Sequence, residues 1–460
     1  MTKPKDDHLH NQFVGSNRPH VLMITNHGIH QWEFIPGLPD TGGQNVFVNQ
    51  FTSKLADLGF KITIVNRGGY EHPTTGEMHR GIDYYDKHQR ILYLEDGDET
   101  FIRKEDMDSQ TPKLAKFLVT QIKDEGIPVD LILSHYWDSA KVGILFNNAR
   151  GEHIKHIWTP HSLGAIKKRN MPPDTWDDLR IDERIENEKW IVPQLEGVAA
   201  TSSLIRESLK NDYGSDEPYF LPPCVKTDRF FYRDVGADHD VWDFLSETTG
   251  LPKDDCQAAK IVTEISRTDK TKRKDVLIKA FAKVHEKLPQ TLLVIAIDKT
   301  EKELAQGLFD LIDDLDLNNH VAAIGNEWER LPFLYSVTDI YCSPSVMEGF
   351  GMAVQEAAAT RVPVVGSNRI PFVEEYLLGD DVEEQAFDDM TSGPLRIGEG
   401  GIVVPADDVA GFAHALETLL TDETLRRKTG ECAYHITVPY FTWDDMTRRF
   451  LREAHVSLPL

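Results

Sequence analysis

The chain reads as an α/β protein with two Rossmann-like domains, each a mostly parallel sheet covered by helices. Three observations lead there. Short apolar runs bounded by turn residues recur along the sequence, with helix-period segments between them. The pattern lapses at residues 220–234 (FLPPCVKTDRFFYRD), where two adjacent prolines suit neither a helix interior nor a central strand. Finally, 460 residues and 52.2 kDa are too much for one growing core.

In order, residues 1–18 are polar and expected to be loose, and 20–25 (HVLMIT) form a buried strand that runs into a loop. Val46, Phe47, Phe51, Leu55 and Leu58 recur at helical spacing up to Gly59, and 61–65 (KITIV) supply a second strand. Strand, loop, helix, glycine and strand make one βαβ unit, which implies parallel pairing. Further strands are expected at 129–133, ending at Ser134 and His135, at 154–159, ending at Pro160 and His161, and at 197–202; a charged helix should span 175–196. The alternation restarts with strands at 260–265, 292–297, 321–324, 340–343, 362–365 and 402–404, and helices at 276–285 and 303–314. Residues 1–235 are therefore assigned to one domain and 236–435 to a second. Open parallel sheets bind ligands beyond the carboxyl ends of their strands, so substrates are expected in a cleft between the two domains.

Composition removes several functions. Acidic residues number 75 against 50 basic ones, a formal charge of −25 that would repel a nucleic-acid backbone. A small anionic substrate is still possible, because a few local cations suffice to hold it. The longest clean apolar run, 292–297, is far short of the ~20 residues of a membrane helix. The start of the chain, with Lys3 and Lys5 running into DDHLHNQ, is no signal peptide. Four cysteines without CxxC spacing argue against a disulfide scaffold or a cysteine zinc site and suit a reducing, cytoplasmic setting. The expected partners are small molecules, with no nucleic acid and no membrane insertion; oligomeric state is not legible.

Several segments carry chemistry. In DTGGQ (40–44), Gly42 and Gly43 precede a helix whose N-terminus favours an anion by ~0.3–1 kcal/mol per charged contact. A turn is the plainer reading. The segment is not GxGxxG, and Asn66 to Gly69 stand where a dehydrogenase would carry its ribose-binding acid. In 343–359 (SPSVMEGFGMAVQEAAA), Glu348 lies in a loop, the amides of Phe350, Gly351 and Met352 can approach a pyrophosphate, and Glu356 lies within the following helix. Carboxylates are acceptors only, so each suits the paired hydroxyls of a hexose or a ribose. Arg267 and Lys272 follow a strand end, where two cations can neutralise a leaving pyrophosphate, although Lys270, Arg273 and Lys274 make a solvated charge run an equal reading. His135 and His161 each follow a strand, poorly placed for packing and well placed for a ligand. Lys167, Lys168 and Arg169 form a basic patch suited to a phosphorylated acceptor, with Arg184 on the next helix. Neither HExxH nor a His/Cys cluster is present, and Asp96 with Asp98 and Asp314 with Asp316 read as surface carboxylates, so no catalytic metal is expected.

Together DTGGQ, TPHSLG, the SRTDKTK segment and the Glu348…Glu356 pair resemble the motifs of retaining nucleotide-sugar glycosyltransferases of the GT4 type, which have the GT-B fold. The resemblance runs from about residue 20 to residue 450, with four motifs in family order. Within the family, DTGGQNVFVNQ, FIRKEDM, TPHSLGAIKKR and LPPCVKTDRFF are similar to segments of sucrose-phosphate and mannosylfructose-phosphate synthases. The resemblance implies that Gly42 and Gly43 approach the donor phosphate, Gln44 the acceptor sugar, and His161 the donor hexose. It implies that Arg267 and Lys272 neutralise the diphosphate, Glu348 binds hexose hydroxyls, Phe350 to Met352 lend amides, and Glu356 binds the ribose. Lys104, Lys167 and Arg184 match residues that hold an acceptor phosphate, and a helix within 436–460 resembles one that crosses back onto the first domain.

Implied with these is hexosyl transfer, with retention, from a nucleoside diphosphate sugar (UDP-glucose favoured, GDP or ADP possible) to a small phosphorylated acceptor such as fructose 6-phosphate. No cofactor is required. A transferase making an unphosphorylated glycoside and a non-catalytic sugar-nucleotide-binding protein are the alternatives. The sequence departs from the family at Asp298 and Lys299, at Asn368 to Phe372 and at Arg103, positions bordering the donor and acceptor pockets.

Overall fold

The computed structural model describes residues 4–459 except 34, 36, 37, 39, 73, 74, 152 and 326. The chain divides into two compact units, Met1–Pro222 with Trp443–Leu460, and Pro223–Thr442. The sequence put this boundary at 235. Residues 223–235 go with the second unit because their side chains pack there: Phe230 against Tyr335, and the Arg229 guanidinium 4.1 Å from the Trp328 ring centre.

In the first unit the strands are β1 (His20–Ile24), β2 (Lys61–Arg67), β3 (Gly81–Tyr84) and β4 (Gln89–Leu94), then β5 (Leu131–His135), β6 (Lys155–Thr159), β7 (Gly197–Ala200) and β8 (Tyr219–Phe220). They form one sheet in the order β3-β4-β2-β1-β5-β6-β7-β8, parallel except for β3 against β4. Helices Thr111–Glu125 and Trp137–Arg150 cover it with Leu114, Leu118, Ile122, Val142 and Phe146, all fully buried. The order turns outward in both directions from β1, which makes the carboxyl ends of β1 and β5 the switch point.

The second unit repeats the design. Its strands are β9 (Lys260–Glu264), β10 (Thr291–Ala296), β11 (Val321–Ile324) and β12 (Ile340–Ser343), then β13 (Val364–Ser367), β14 (Glu383–Gln385), β15 (Leu395–Ile397) and β16 (Gly401–Val404). The order is β11-β10-β9-β12-β13-β16-β15-β14, with only β14 and β15 running antiparallel to their neighbours. The switch point lies at β9 and β12. Helices Lys274–Lys287 and Val409–Thr421 supply Leu277, Phe281, Phe412 and Leu416 to a common core.

Three expectations need correction, and one stretch was left without elements. Residues 4–14, taken as loose, form a helix (Pro4–Val14) anchored by the fully buried Phe13, on whose ring the Arg90 guanidinium sits at 4.1 Å. The stretch between residue 235 and β9, to which the sequence reading assigned no element, holds helices Asp240–Thr249 and Lys253–Ala258. The charged segment 175–196 is helical only over Ile181–Ile191 with short 3-10 turns at either side. Asp96 is no surface carboxylate: it is buried and accepts from Arg67 Nε at 2.6 Å and Nη2 at 3.1 Å, a bidentate pair closing the ends of β2 and β4.

Candidate functional site

The first unit gathers its polar groups where β1, β5 and β6 end. Beyond β1, the side chain of Asn66 donates to the carbonyls of Thr25, Asn26 and Gly28, fixing a short loop that carries His27. Gly28 has φ +70, and a Cβ there would lie 2.3 Å from the Asp40 carbonyl oxygen, so the loop presses directly on Asp40. Helix Gly43–Asp57 begins just after, and Gln44 Nε2 donates to Thr25 Oγ1 at 2.9 Å. Gly42 is extended, and its amide donates to Asn45 Oδ1 at 2.9 Å; that N–H, expected to be free for a phosphate, is engaged in capping the helix. Gly43 is exposed.

Tyr136 and His161, next to the ends of β5 and β6, both have positive φ, 73° and 56°, sparsely populated values that concentrate at functional sites. His161 Nε2 is 2.8 Å from His135 Nδ1, and the other nitrogen of His135 meets Met23 Sδ. Sulfur only accepts, so His135 carries its proton on Nε2 and its Nδ1 accepts a hydrogen bond from His161 Nε2–H. Burial pushes the His161 imidazole down to about 3, helped by the charge of His27, and burial with His161 pushes His135 well below the usual histidine range. Both rings are neutral at physiological pH.

A pocket in the same unit is lined by Lys104, Glu105, Tyr136, Lys167, Arg180 and Arg184, among others. Lys104 donates through Nζ to Asp40 Oδ1 and through its amide to Oδ2. Arg184, only 5% exposed, donates to Glu188 Oε1 at 2.7 Å, to Tyr136 OH and to Ser162. Lys167 stands 3.9 Å from Glu105, and burial together with Arg184 and Lys104 pushes its ammonium down to about 8. The three acceptor lysine and arginine positions expected from the sequence thus meet in one place. Arg180 joins them unannounced, at φ 43 and held by Asp106 at 2.9 Å; in the sequence it is one charge among many.

In the second unit the expected donor residues follow β9 and β12, the switch-point strands. Lys272, 8% exposed, forms an ion pair with Glu348 at 2.5 Å. Burial opposes ionisation of Asp269, yet Lys272, Thr271 and Arg267 outweigh it and hold the carboxyl below its ordinary range, which places both cations around one acid. The neighbouring charge run is sorted by the fold: Lys274 is buried against Glu264, and Arg273 pairs with Asp275. Arg267 remains exposed. Gly351, at φ +117, caps helix Met352–Ala359, where the first amides have no intrahelical acceptor. A Cβ on Gly351 would meet Ile370 Cγ2 at 2.7 Å. The Phe350 ring is buried against Phe372 and Phe441, so its contribution to a ligand is limited to its backbone. Burial pushes the Glu356 carboxyl up to about 8, against the opposing pull of the Tyr335 hydroxyl at 3.4 Å and of Arg229.

Among the described residues no group of three or more His, Cys, Asp or Glu is arranged to hold a metal, and no helix is long and apolar enough to cross a membrane.

Comparison with known proteins places these units. Residues 41–229 match the family described as Glycosyltransferase Family 4, and residues 257–436 the one described as Glycosyl transferases group 1. Mannosylfructose-phosphate synthase of Agrobacterium fabrum is 28% identical over 362 residues, covering 75% of this chain and 76% of that protein. D-inositol 3-phosphate glycosyltransferase of Corynebacterium urealyticum is 25% identical over 430 residues, 92% of each chain. Among solved structures, sucrose-phosphate synthase from Thermosynechococcus elongatus superposes with a TM-score of 0.75 at 22% identity, over 95% of this chain and 98% of that one. Anabaena HepE, solved with UDP and glucose, gives 0.67 at 15% identity over 95% of this chain and all of that one.

Proposed function

The chain belongs to the GT4-type glycosyltransferases of GT-B fold, and on that premise we propose that it transfers a hexosyl group, with retention, from a nucleoside diphosphate sugar to a small phosphorylated acceptor. UDP-glucose is the favoured donor and fructose 6-phosphate the favoured acceptor. The observation that carries the acceptor class is the convergence of Lys104, Lys167, Arg180 and Arg184 on one pocket of a chain whose net charge is −25. An acidic protein that gathers four cations around one pocket is built to hold an anion. Relatives named for mannosylfructose phosphate, sucrose phosphate and inositol 3-phosphate support a phosphorylated compound, and the UDP and glucose on HepE support the donor.

In this reading the second unit holds the nucleotide. Glu356 takes the ribose diol, Glu348 the hexose hydroxyls, and Arg267, Lys272 and the amides of Gly351 and Met352 the diphosphate. As the anomeric carbon–oxygen bond to the β-phosphate breaks, the acceptor oxygen bonds to that carbon on the same face. Its proton passes to the departing phosphate, which the two cations stabilise. For the first unit the roles proposed are donor phosphate for Gly42 and Gly43, donor hexose for His161 and acceptor sugar for Gln44.

The test is a matrix of UDP-, GDP- and ADP-hexoses against fructose 6-phosphate, inositol 3-phosphate and free sugars, with products identified by mass. A phosphorylated product is expected, and Lys167→Ala should raise the KM of the phosphorylated acceptor about 10–100-fold while leaving a free sugar's unchanged. Turnover with free sugars alone would overturn the acceptor class.

A further inference from the structure

Arg267 and Lys272, the two cations assigned to the diphosphate, sit on one short excursion between β9 and helix Lys274–Lys287. Its turns are fixed locally. Asp269 Oδ1 accepts from the Thr271 amide at 2.8 Å, Lys272 lies in a 3-10 turn, and Arg273 at φ 49 bends the chain into the helix. Its far side is fixed by the neighbouring loop, where the Val346 amide and Ser345 Oγ donate to the Thr271 carbonyl at 2.8 and 3.2 Å. What remains is the separation of its two ends, and a pair that takes no part in the transfer sets it.

Glu264, the last residue of β9, is fully buried, and Lys274, the first residue of the helix, is 3% exposed. Lys274 Nζ donates to Glu264 Oε2, to Ser266 Oγ at 3.0 Å and to the Ser266 carbonyl at 3.3 Å. Ser266 Oγ in turn donates to the Arg267 carbonyl at 3.2 Å. The Tyr341 hydroxyl, donating to the Ile265 carbonyl at 3.0 Å, holds the same entry. One ammonium therefore ties the helix start to the strand end and closes the excursion into a ring that carries both cations. Stability does not account for the pair. Desolvating two charges offsets most or all of their attraction, and an apolar pair of similar size would fill the space as well. Glu264 Oε1 is also buried with no hydrogen-bond partner among the described residues, a further cost. An apolar pair, however, has no donor for Ser266 and would leave the excursion free to open.

We infer that Glu264 and Lys274 are positioning residues for the diphosphate: their buried ion pair, acting through Ser266, sets the spacing of the backbone positions that carry Arg267 and Lys272. Neither touches the ligand. The inference rests on the donor reading of the second unit. The two are tested apart by titrating the full chain calorimetrically with UDP, GDP and ADP and with uridine, guanosine and adenosine.

Unsubstituted protein should bind one of the diphosphates about 100-fold more tightly than its nucleoside. The double variant Glu264→Leu with Lys274→Met should melt no lower than the unsubstituted protein. It should nevertheless bind that diphosphate about tenfold more weakly, with the nucleoside Kd within about twofold. Glu264→Gln, whose amide oxygen still accepts from Lys274, should keep the diphosphate Kd within about threefold. A double variant that binds the diphosphate as tightly as unsubstituted protein would overturn the inference. So would one that loses diphosphate and nucleoside alike, since the pair would then only hold the unit together, and so would a Glu264→Gln protein as weak as the double variant. Should the double variant not fold, Ser266→Ala decides: weaker diphosphate binding with unchanged nucleoside binding supports the relay through Ser266, and unchanged diphosphate binding overturns it. Failure of the unsubstituted protein to prefer any diphosphate over its nucleoside would remove the donor reading itself, and this inference with it.

Discussion

Of the four cations around the acceptor pocket, Lys167 is the one held farthest from a carboxylate: Arg184 has Glu188 at 2.7 Å, Arg180 has Asp106 at 2.9 Å and Lys104 has Asp40, against 3.9 Å from Lys167 to Glu105. Burial and its cationic neighbours bring it from 10.5 down to about 8. A lysine lowered by folding costs stability while it is charged in both states, below pH 8, and the cost fades between pH 8 and 10.5. Lys167→Met should therefore raise the Tm at pH 7 by about 2–4 °C, with the gain vanishing toward pH 10, while acceptor phosphate binding is lost. Scanning calorimetry at several pH values checks it. Glu356 carries the opposite sign. Its carboxyl, near 8 in the free protein, is largely protonated at pH 7, and the donor hydroxyls of a ribose would favour the carboxylate. Nucleotide binding should then expel a proton, read as a binding heat that changes with buffer ionisation enthalpy, and Glu356→Gln should abolish the change. Lys272 and Glu348, 2.5 Å apart, each leave the other unpaired when removed. Lys272→Ala and Glu348→Gln should lose about 10²-fold or more in turnover with the fold intact by circular dichroism.

At the scale of elements, the glycine under most constraint in the first unit's site was not the one the motif suggested. Gly42 is extended at φ −179, a geometry open to any residue, whereas Gly28 is left-handed and faces a backbone atom. Gly28→Ala should push Asp40 away from Lys104, costing about 1–3 kcal/mol in urea unfolding and weakening phosphate binding more than nucleotide binding. The constraint comes from a contact across the loop, so no local pattern announces it. The same distinction separates the strands that were legible from those that were not. β1, β2, β5 and β9 are buried apolar runs and stand out. β4 went unread because Arg90, fully buried, occupies a core position made tolerable by the Glu125 carboxylate and by the Thr63 and Tyr84 hydroxyls. Helix Pro4–Val14 went unread because one residue, Phe13, provides most of its anchoring. Site residues on strand ends were visible through motif order. Arg180 was not, since a charged residue at the start of a helix becomes informative only once its neighbours are known.

For the whole molecule, the sequence's two-domain architecture stands, with the transfer between units at Pro222–Pro223 and again at Thr442–Trp443. Val225 donates its amide to Phe441 at 2.9 Å and bridges to Thr442, so both passages are tied within the second unit. That unit is one continuous stretch with its own core. Expressed alone, residues 223–442 should fold cooperatively and retain nucleotide affinity, measurable by thermal shift with UDP. The first unit is different. Helix Trp443–Glu453 packs on helix Gly43–Asp57: the Trp443 ring stacks on Phe51 at 5.6 Å, its Nε1 donates to Gln50, and Phe450 and Leu451 are fully buried.

That returning helix reverses the usual order of events on the ribosome, where amino-terminal domains finish first. Nascent residues 1–222 emerge with an open apolar seam along Phe47 and Phe51, and it stays open while more than two hundred further residues are translated. The half synthesised second can complete itself first, and the half synthesised first must wait, exposed to chaperones, for a segment encoded far downstream.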